Sequence, residues 1–149
     1  MYTDEQIKEY RDKIVASAKN LIRTKFVHRG RTRNGVDCIG FVIVTYRRAG
    51  LTVSDGGIYH PGWYWDERDH SLFQGIIGQC KLFNKCLPGD LVLFTPEMKI
   101  NKVTHVGIMI DDVRFLHARS IRCVEWADLS HRFWQKSFFS FARYKEFIQ

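Results

Sequence analysis

Cys38 occupies a position where a thiol could do chemistry. It lies in the stretch NGVDCIGFVIV (34–44), in which a polar turn gives way to an apolar run. A cysteine at such a boundary can be a small buried hydrophobe, a metal ligand or a nucleophile. If a helix begins at Cys38, its unpaired backbone N–H groups and its dipole stabilise the thiolate. We therefore expect a thiol pKa below the usual value of about 8.5.

A nucleophilic thiol needs a base that accepts its proton and returns it to a leaving amine, and histidine suits this work near neutral pH. The candidates are His28, His60, His70, His105, His117 and His131. His105 and His117 differ from the others because each lies in a strand of one predicted hairpin, THVGIMIDDVRFLHA (104–118). A single histidine in a strand is usually structural, but two in paired strands downstream of a helix-start cysteine favour a catalytic set.

The two histidines share a face of the sheet only if the hairpin has the right register, because side chains alternate along a strand. A two-residue turn, which pairs Ile110 with Val113, sends His105 and His117 to opposite faces. A loop of odd length, which pairs Ile110 with Arg114, places both on one face. A catalytic pair therefore requires an odd loop or a bulge, and we predict one here.

The other three cysteines show no pattern of a metal site or of a disulfide framework. Cys80 and Cys86 lack the close C-x-x-C spacing of a zinc site, and no second matched pair follows them. Together with Cys123 they are interpreted as reduced thiols in the core or near the surface. The sequence predicts neither a metal nor a cofactor.

Two helices are predicted ahead of the strands, and the second one positions the thiol. Thr3 and Gln6 form a capping box before apolar residues at helical spacing, which predicts a helix over about 4–22. Residues 38–48 are apolar on nearly every face, as in a buried helix, and Gly50 suits its C-terminal end. Cys38 would then be the first residue of a buried helix.

The second half of the chain changes to strand patterns. A short helix is predicted around 68–79 and a turn at LPGD (87–90), and strands are predicted at 91–94, 104–110, 113–118, 121–126 and 139–144. Helices followed by strands indicate an α+β fold with the N-terminal helices packed on an antiparallel sheet of about five to six strands. The chain has no repeat and no linker, so we predict a single domain over residues 1–149.

Composition and charge limit the classes of partner. The chain of 149 residues carries a net charge of +7, much of it in RTKFVHRGRTR (23–33), which favours anionic partners. No zinc finger, helix-turn-helix or RNA-binding aromatic motif accompanies that charge, so nucleic-acid binding is not predicted. No run approaches the roughly 20 apolar residues of a membrane helix, so no membrane insertion is expected. The acidic, polar N-terminus does not read as a secretory signal, and we expect synthesis in the cytoplasm.

Four motifs in order carry a family resemblance. They are FVHRGRTRNGVDCIGFV, PGDLVLF, THVGIMI and FLHARS, and they run from about Phe26 through His117, with the two histidines twelve positions apart. In order and spacing they resemble the NlpC-type cell-wall peptidase family, whose members are papain-like enzymes with a Cys-His-His site. The resemblance implies a papain-like fold and cleavage of amide bonds in peptidoglycan stem peptides, often between D-glutamate and a diamino acid.

The resemblance also assigns roles. Cys38 becomes the nucleophile, His105 the general base, and His117 the residue that orients the second nitrogen of His105. The backbone N–H of Cys38 would help to form the oxyanion hole. The residues expected to contact substrate are Asp37, Phe26, His28 and Arg31.

Two positions depart from the family pattern. Ile39 stands where secreted members have a serine that helps to hold the substrate's free amine, and Phe26 stands where the family has a tyrosine. Both changes resemble the branch of the family found in phage tail assemblies. That branch implies phage tail proteins as partners and incorporation into a virion, and it leaves the bond that is cleaved open.

Other functions compete with a peptidoglycan peptidase. The same chemistry could serve a papain-like amidase or acyltransferase on another substrate, although the Cys-before-His order disfavours the lipid acyltransferase branch. A tail-assembly protein could use the fold for docking alone, but a scaffold has no reason to keep a complete Cys-His-His set. Nucleic-acid binding through the basic loop would rest on charge alone.

Overall fold

The computed structural model describes residues 1–55, 63, 71–95 and 102–148. In this part of the chain a six-stranded antiparallel sheet has the strand order β3-β8-β4-β5-β6-β7, and two short strands, β1 and β2, pair separately. The helices are α1 (Asp4–Asn20), α2 (Cys38–Arg48), α3 (Ser71–Ile77) and α4 (Arg132–Ser137). The strands are β1 (Arg31–Thr32), β2 (Gly35–Val36), β3 (Cys80–Phe83), β4 (Leu91–Phe94), β5 (His105–Met109), β6 (Arg114–Ala118), β7 (Val124–Asp128) and β8 (Phe138–Tyr144). The predicted α+β class is confirmed.

Both predicted N-terminal helices form, and each begins at its predicted residue. Thr3 and Gln6 make the reciprocal hydrogen bonds of a capping box at the start of α1, which ends at Asn20, two residues before the prediction. Helix α2 has the predicted bounds, and Asp37 caps it by accepting a hydrogen bond from the Gly40 N–H at 2.7 Å. Gly50 follows the helix with φ +98°, a conformation that glycine adopts without strain.

The strands of the six-stranded sheet form close to where the sequence predicts them, except at the two edges of the sheet. Residues 119–123 form a tight turn in which Ile121 has φ +64°, so β7 begins at Val124 rather than at the predicted residue 121. The edge strand β3, the separate strands β1 and β2, and helix α4 were not predicted. The helix expected at 68–79 is shorter over the described residues, and residues 68–70 lie outside them.

The sheet has an apolar layer on each face. On one face, α1 and α2 pack on Leu91, Leu93, Val106, Ile108, Leu116 and Ala118. On the other face, a smaller cluster of Val92, Phe94, Met109 and Phe115 is covered in part by Trp134 of α4. The alternation of side chains along β4, β5 and β6 thus separates the face that contacts α2 from the face that carries His105 and His117.

A buried carboxylate holds the predicted LPGD turn against the helices and the sheet. The turn closes with a hydrogen bond from the Asp90 N–H to the Leu87 carbonyl at 3.0 Å. The Asp90 side chain accepts hydrogen bonds from Arg11 of α1 at 2.9 Å and from Arg143 of β8 at 2.8 Å. Asp90 is 1% exposed, so these bonds replace the water that the carboxylate gives up on folding. One buried group therefore ties three distant segments together.

Among the described residues, no helix has the length and apolar character needed to span a membrane.

Candidate active site

The β5–β6 hairpin has the odd register that the sequence analysis required. Ile108 pairs with Leu116, and the Ile110 N–H donates to the Arg114 carbonyl at 2.9 Å. Asp111 fixes the loop, since its carboxylate accepts a hydrogen bond from the Arg114 N–H at 2.7 Å. The prediction of an odd loop is confirmed.

This register brings the two imidazoles into contact. The Nε2 atom of His105 lies 2.8 Å from the Nδ1 atom of His117, and the ring planes are nearly perpendicular at 84°. His117 is 2% exposed, whereas His105 is partly exposed. One proton occupies the bond between the rings. If Nε2 of His105 carries it, Nδ1 of His105 keeps a lone pair that can accept a proton from a thiol.

Cys38 lies at the end of β5 that carries His105. The N–H of Val106 donates toward the Cys38 sulfur, as do the N–H groups of Ile39 and of Cys38 itself. The described β5–β6 pairs end at Ile108, so the N–H of Val106 is directed to the sulfur and not into the sheet. Since Val106 directly follows His105 at the start of β5, this bond places the thiol at the strand end that carries His105.

The resting site is electrically neutral near pH 7. Burial raises the pKa of the Cys38 thiol to about 12, and the adjacent Asp37 carboxylate raises it as well. Burial lowers the pKa of His105 to about 4. Burial also lowers the pKa of His117 to about 2, with a further lowering from the positive charges of His105 and Arg119. The expectation that the helix start lowers the thiol pKa is therefore wrong, because desolvation outweighs the backbone N–H groups that favour the thiolate.

Trp134 packs on both histidines and was missed in the sequence. Its ring stacks on His105, with centroids 5.8 Å apart and an angle of 23°, and meets His117 edge to face at 5.0 Å. Phe94 lies against Trp134 at 4.8 Å. The aromatic pair Phe133-Trp134 was a visible signal, but only the docking of α4 on the sheet brings Trp134 to the imidazoles. These contacts keep water from the ring faces.

The Asp37 carboxylate accepts hydrogen bonds that hold the backbone around the start of α2. Its Oδ1 atom accepts from the Gly40 N–H and from Arg31 at 3.1 Å, and its Oδ2 atom accepts from the Arg29 N–H at 2.8 Å. Gly40 allows this close fit, since a Cβ atom there would meet the Gly30 carbonyl. These bonds explain Asp37 as a helix cap and a loop anchor, and a contact with substrate stays a prediction.

The other expected substrate contacts lie along the same loop. Arg31 donates to both Asp55 carboxylate oxygens at 3.0 Å as well as to Asp37, so it joins two carboxylates. Phe26 is half-buried against the core, and His28 is half-buried two residues further along. Their roles toward substrate stay predictions.

The remaining histidines and cysteines that the structure describes form no second centre. His131 caps α4 by accepting from the Phe133 N–H at 3.3 Å, whereas His60 and His70 lie outside the described residues. Cys80, Cys86 and Cys123 are free thiols. In the ranges that the structure describes, no group of three or more His, Cys, Asp or Glu side chains could hold a metal ion.

A pocket of about 780 Å³ opens on the face of the sheet that carries the histidines. It extends from the end of β4, past the two imidazoles, to the β6–β7 turn and α4. Its lining consists of Phe94, Thr95, Thr104, His105, His117, Arg119, Ser120, Glu125, Trp126, Ala127, Asp128, His131, Phe133, Trp134 and Ser137. The pocket therefore combines aromatic walls with charged groups of both signs.

Comparison with known proteins identifies the family of this chain. The NlpC/P60 family model matches residues 23–143. The probable endopeptidase NlpC of Escherichia coli is 34% identical over 125 residues, which are 80% of this chain and 69% of that protein. The Escherichia coli protein named murein DD-endopeptidase MepS/murein LD-carboxypeptidase is 28% identical over 109 residues, which cover 73% of this chain and 50% of that one.

The fold is shared with solved structures. The crystal structure of an NlpC/P60 family protein from Bacillus cereus superposes with a TM-score of 0.71 at 21% identity, covering 90% of this chain and 40% of that chain. Cys38 and the His105–His117 pair thus lie in a fold that this solved structure shares. The chain belongs to the NlpC/P60 family.

Proposed function

We propose that the protein is a thiol peptidase that hydrolyses an amide bond in peptidoglycan stem peptides. The observation that carries this proposal is the 2.8 Å hydrogen bond between His105 and His117 at the strand end where Cys38 lies. This arrangement supports the roles of nucleophile for Cys38, base for His105 and orienting residue for His117. The names of the two Escherichia coli relatives, an endopeptidase and a murein endopeptidase, support peptidoglycan as the substrate.

Acylation begins from the neutral pair. The Cys38 sulfur attacks the amide carbonyl carbon while its proton moves to Nδ1 of His105. The resulting imidazolium donates its Nε2–H to Nδ1 of His117, which can accept because its pKa is lowered to about 2 and the ring stays neutral. Negative charge develops on the carbonyl oxygen, and the backbone N–H of Cys38 at the start of α2 stabilises it.

Collapse of the tetrahedral intermediate completes the half-reaction. The C–N bond breaks, the nitrogen takes the proton from Nδ1 of His105 and leaves as an amine, and the acyl group remains on sulfur as a thioester. Water then gives a proton to His105 as its oxygen attacks the thioester carbon. The C–S bond breaks, the sulfur recovers the proton from His105, and the acid product leaves.

A phage or prophage origin, with phage tail proteins as partners and a place in the virion, is proposed on the sequence pattern around HRGR and GVDCIGFV. Ile39 supports a changed substrate contact, because this residue is 5% exposed and packs in the apolar core. Detection of the protein in purified virions of an induced lysogen would test the origin.

Digestion of purified peptidoglycan, with the fragments identified by mass spectrometry, tests the proposed activity. The wild-type protein should release stem-peptide fragments and Cys38→Ala should release none. Cys123→Ala serves as the matched control and should act like the wild type. If an activity-based thiol probe labelled Cys38 while peptidoglycan stayed intact, an amidase or acyltransferase on another substrate would be the better assignment. Absence of both labelling and turnover would favour docking alone.

A further inference from the structure

The β6–β7 turn and the chain segment that follows α1 lie side by side at the start of the edge strand β7. An antiparallel bridge joins the two segments, and next to it the Phe26 N–H donates a hydrogen bond to the Arg122 carbonyl at 3.0 Å. Residues 23–27 and 119–123 thereby form one continuous surface, although they are distant in the sequence. We call these ten residues the basic turn surface.

The basic turn surface carries an excess of positive charge. Neither of its two segments contains an acidic residue, and its exposed basic residues are Arg23, Lys25, Arg119 and Arg122. The carboxylate of Glu125, on β7, lies 3.3 Å from Arg119 and 3.8 Å from Arg122. One negative charge therefore faces four positive charges, and the excess attracts an anionic partner.

Ile121 protrudes from this charged surface at a cost to the fold. It is 93% exposed, and its backbone adopts φ +64°. A β-branched residue is strained in that conformation, whereas asparagine or glycine adopts it readily. Burial does not offset the strain, because almost none of the side chain is covered. Val27, which is 44% exposed, adds a second aliphatic side chain on the neighbouring segment. A strained and exposed isoleucine at this place indicates a function outside the fold itself.

Exposed aliphatic side chains among cations are typical of a surface that binds an anionic lipid bilayer. The cations contact the headgroup phosphates, and the aliphatic side chains enter the boundary between headgroups and acyl chains. A nucleic acid or another polyanion would account for the cations but would leave Ile121 without an apolar environment. A protein–protein interface requires a larger apolar centre than one isoleucine and one valine provide. The lipid bilayer therefore fits both features best.

We propose that the basic turn surface docks the protein on an anionic lipid bilayer, with Ile121 in the headgroup region and the four basic side chains on the lipid phosphates. Arg119 and Ser120 also line the large pocket beside the two imidazoles. Docking thus holds the rim of the candidate active site at the bilayer surface. The inference is independent of the proposed peptidase activity, because binding to lipid requires no turnover.

Co-sedimentation of the full chain with vesicles tests this inference. One set of vesicles contains equal parts of phosphatidylglycerol and phosphatidylethanolamine, and the other set contains phosphatidylcholine alone. The protein should sediment with the anionic vesicles and remain in the supernatant with the neutral ones. Added salt should weaken the association, because it screens the charges on the protein and on the lipid.

Two variants separate the aliphatic contribution from the electrostatic one. Ile121→Asn relieves the backbone strain, so its melting temperature should equal or exceed that of the wild type. Its partition coefficient on anionic vesicles should nevertheless fall by about tenfold or more, because the aliphatic side chain is lost. Arg122→Gln should lower the coefficient by about fivefold, which corresponds to about 1 kcal/mol for one basic residue near an anionic surface.

The matched controls keep or remove the same chemical groups elsewhere. Ile121→Leu retains an aliphatic side chain and should bind anionic vesicles like the wild type. Leu82→Ala and Lys81→Gln remove an exposed aliphatic side chain and an exposed charge from β3, at the opposite edge of the sheet. Both should change the partition coefficient little.

Three outcomes would overturn the inference. The first is equal sedimentation with anionic and neutral vesicles, and the second is no sedimentation with either. The third is that Ile121→Asn binds the anionic vesicles as tightly as the wild type and that both bind long-chain polyphosphate equally well, which would identify a general polyanion site. Each of these results leaves the peptidoglycan digestion unaffected, so a failure of docking is distinguished from a failure of the proposed peptidase function.

Discussion

At the scale of single residues, the protonation states of Cys38, His105 and His117 define how the reaction starts. A thiol with a pKa of about 12 beside an imidazole with a pKa of about 4 is a neutral pair throughout the physiological range. The thiolate then forms only as the carbonyl is attacked. Burial supports this order. Before substrate binds, burial disfavours both the thiolate and the imidazolium, and once these charges form it strengthens the hydrogen bonds made to them.

The neutral pair predicts that no thiolate is present at rest. The ultraviolet absorbance of the wild-type protein at pH 7, minus that of Cys38→Ala, should lack the thiolate band, because burial holds the Cys38 pKa far above 7. The value of kcat/KM should stay level from neutral pH downward and be lost as His105 becomes protonated near pH 4. A thiolate band at pH 7 would instead indicate a preformed thiolate–imidazolium pair.

The two histidines should differ in how much activity depends on them. His105→Ala removes the group that carries the proton and should abolish almost all turnover. His117→Asn can still accept a hydrogen bond from Nε2 of His105, whereas His117→Ala cannot. We expect kcat/KM to fall in the order wild type, His117→Asn, His117→Ala, His105→Ala, with all four folded alike by circular dichroism. Losses that merely followed the melting temperature, or a His105→Ala variant more active than His117→Ala, would contradict these roles.

At the scale of elements, helix α4 covers the imidazole pair while α2 delivers the thiol. The helix is only a short segment at Arg132–Ser137, but its docking places the Trp134 ring over His105 and beside His117. Burial is the cause of the low His105 pKa, and the stacked Trp134 ring of this helix contributes to that burial.

Trp134→Ala should move the acid limit of activity upward. Without the indole ring, water reaches His105 and its pKa rises toward the ordinary value of about 6.5. At pH 5 such a base is mostly protonated, so kcat/KM should fall by roughly thirtyfold relative to pH 7.5, while the wild-type ratio stays near one. Trp134→Phe retains a stacked ring and should restore much of the flat profile. Phe139→Ala is the control for an exposed aromatic residue of β8, and a Trp134→Ala profile that matched it would exclude this role.

At the scale of the whole molecule, Asp90 joins the helical layer to the sheet. Its carboxylate bonds to Arg11 of α1 and to Arg143 of β8, which lie 79 and 53 residues from Asp90 along the chain. Phe147 and Phe83 pack on these two guanidinium groups at 5.1 and 4.1 Å. Both arginines would be left buried without their shared partner if the carboxylate were removed.

Asp90→Ala should therefore destabilise the whole fold. Breaking a buried pair by removing one partner costs about 3–5 kcal/mol of the free energy of unfolding. Urea denaturation followed by circular dichroism measures this loss as a lower midpoint with an unchanged slope. Asp12→Ala, which breaks the exposed Lys8–Asp12 pair at 3.0 Å, is the control and should change the midpoint little. A midpoint for Asp90→Ala equal to that of the control would show that the buried cluster adds no net stability.

The sequence by itself determined the features that depend on local signals. The capping box at Thr3 and the apolar run after Cys38 define where two helices begin, because those signals span only a few neighbouring residues. The spacing of His105 and His117, with strand alternation, limited the hairpin to an odd loop, and that register formed. The order of the motifs was sufficient to indicate the family.

Only the tertiary structure decided the features that depend on distant segments. The high pKa of Cys38 results from packing between α2 and the sheet, which the helix-start argument could not include. The contacts of Trp134 with the imidazoles depend on how α4 docks, and the bonds of Arg31 to Asp55 join residues 24 positions apart. The edge strand β3 exists because β8 pairs with it, which no local pattern records. Burial, docking and long-range pairing are properties of the folded chain, and they set the chemistry that the local sequence only positions.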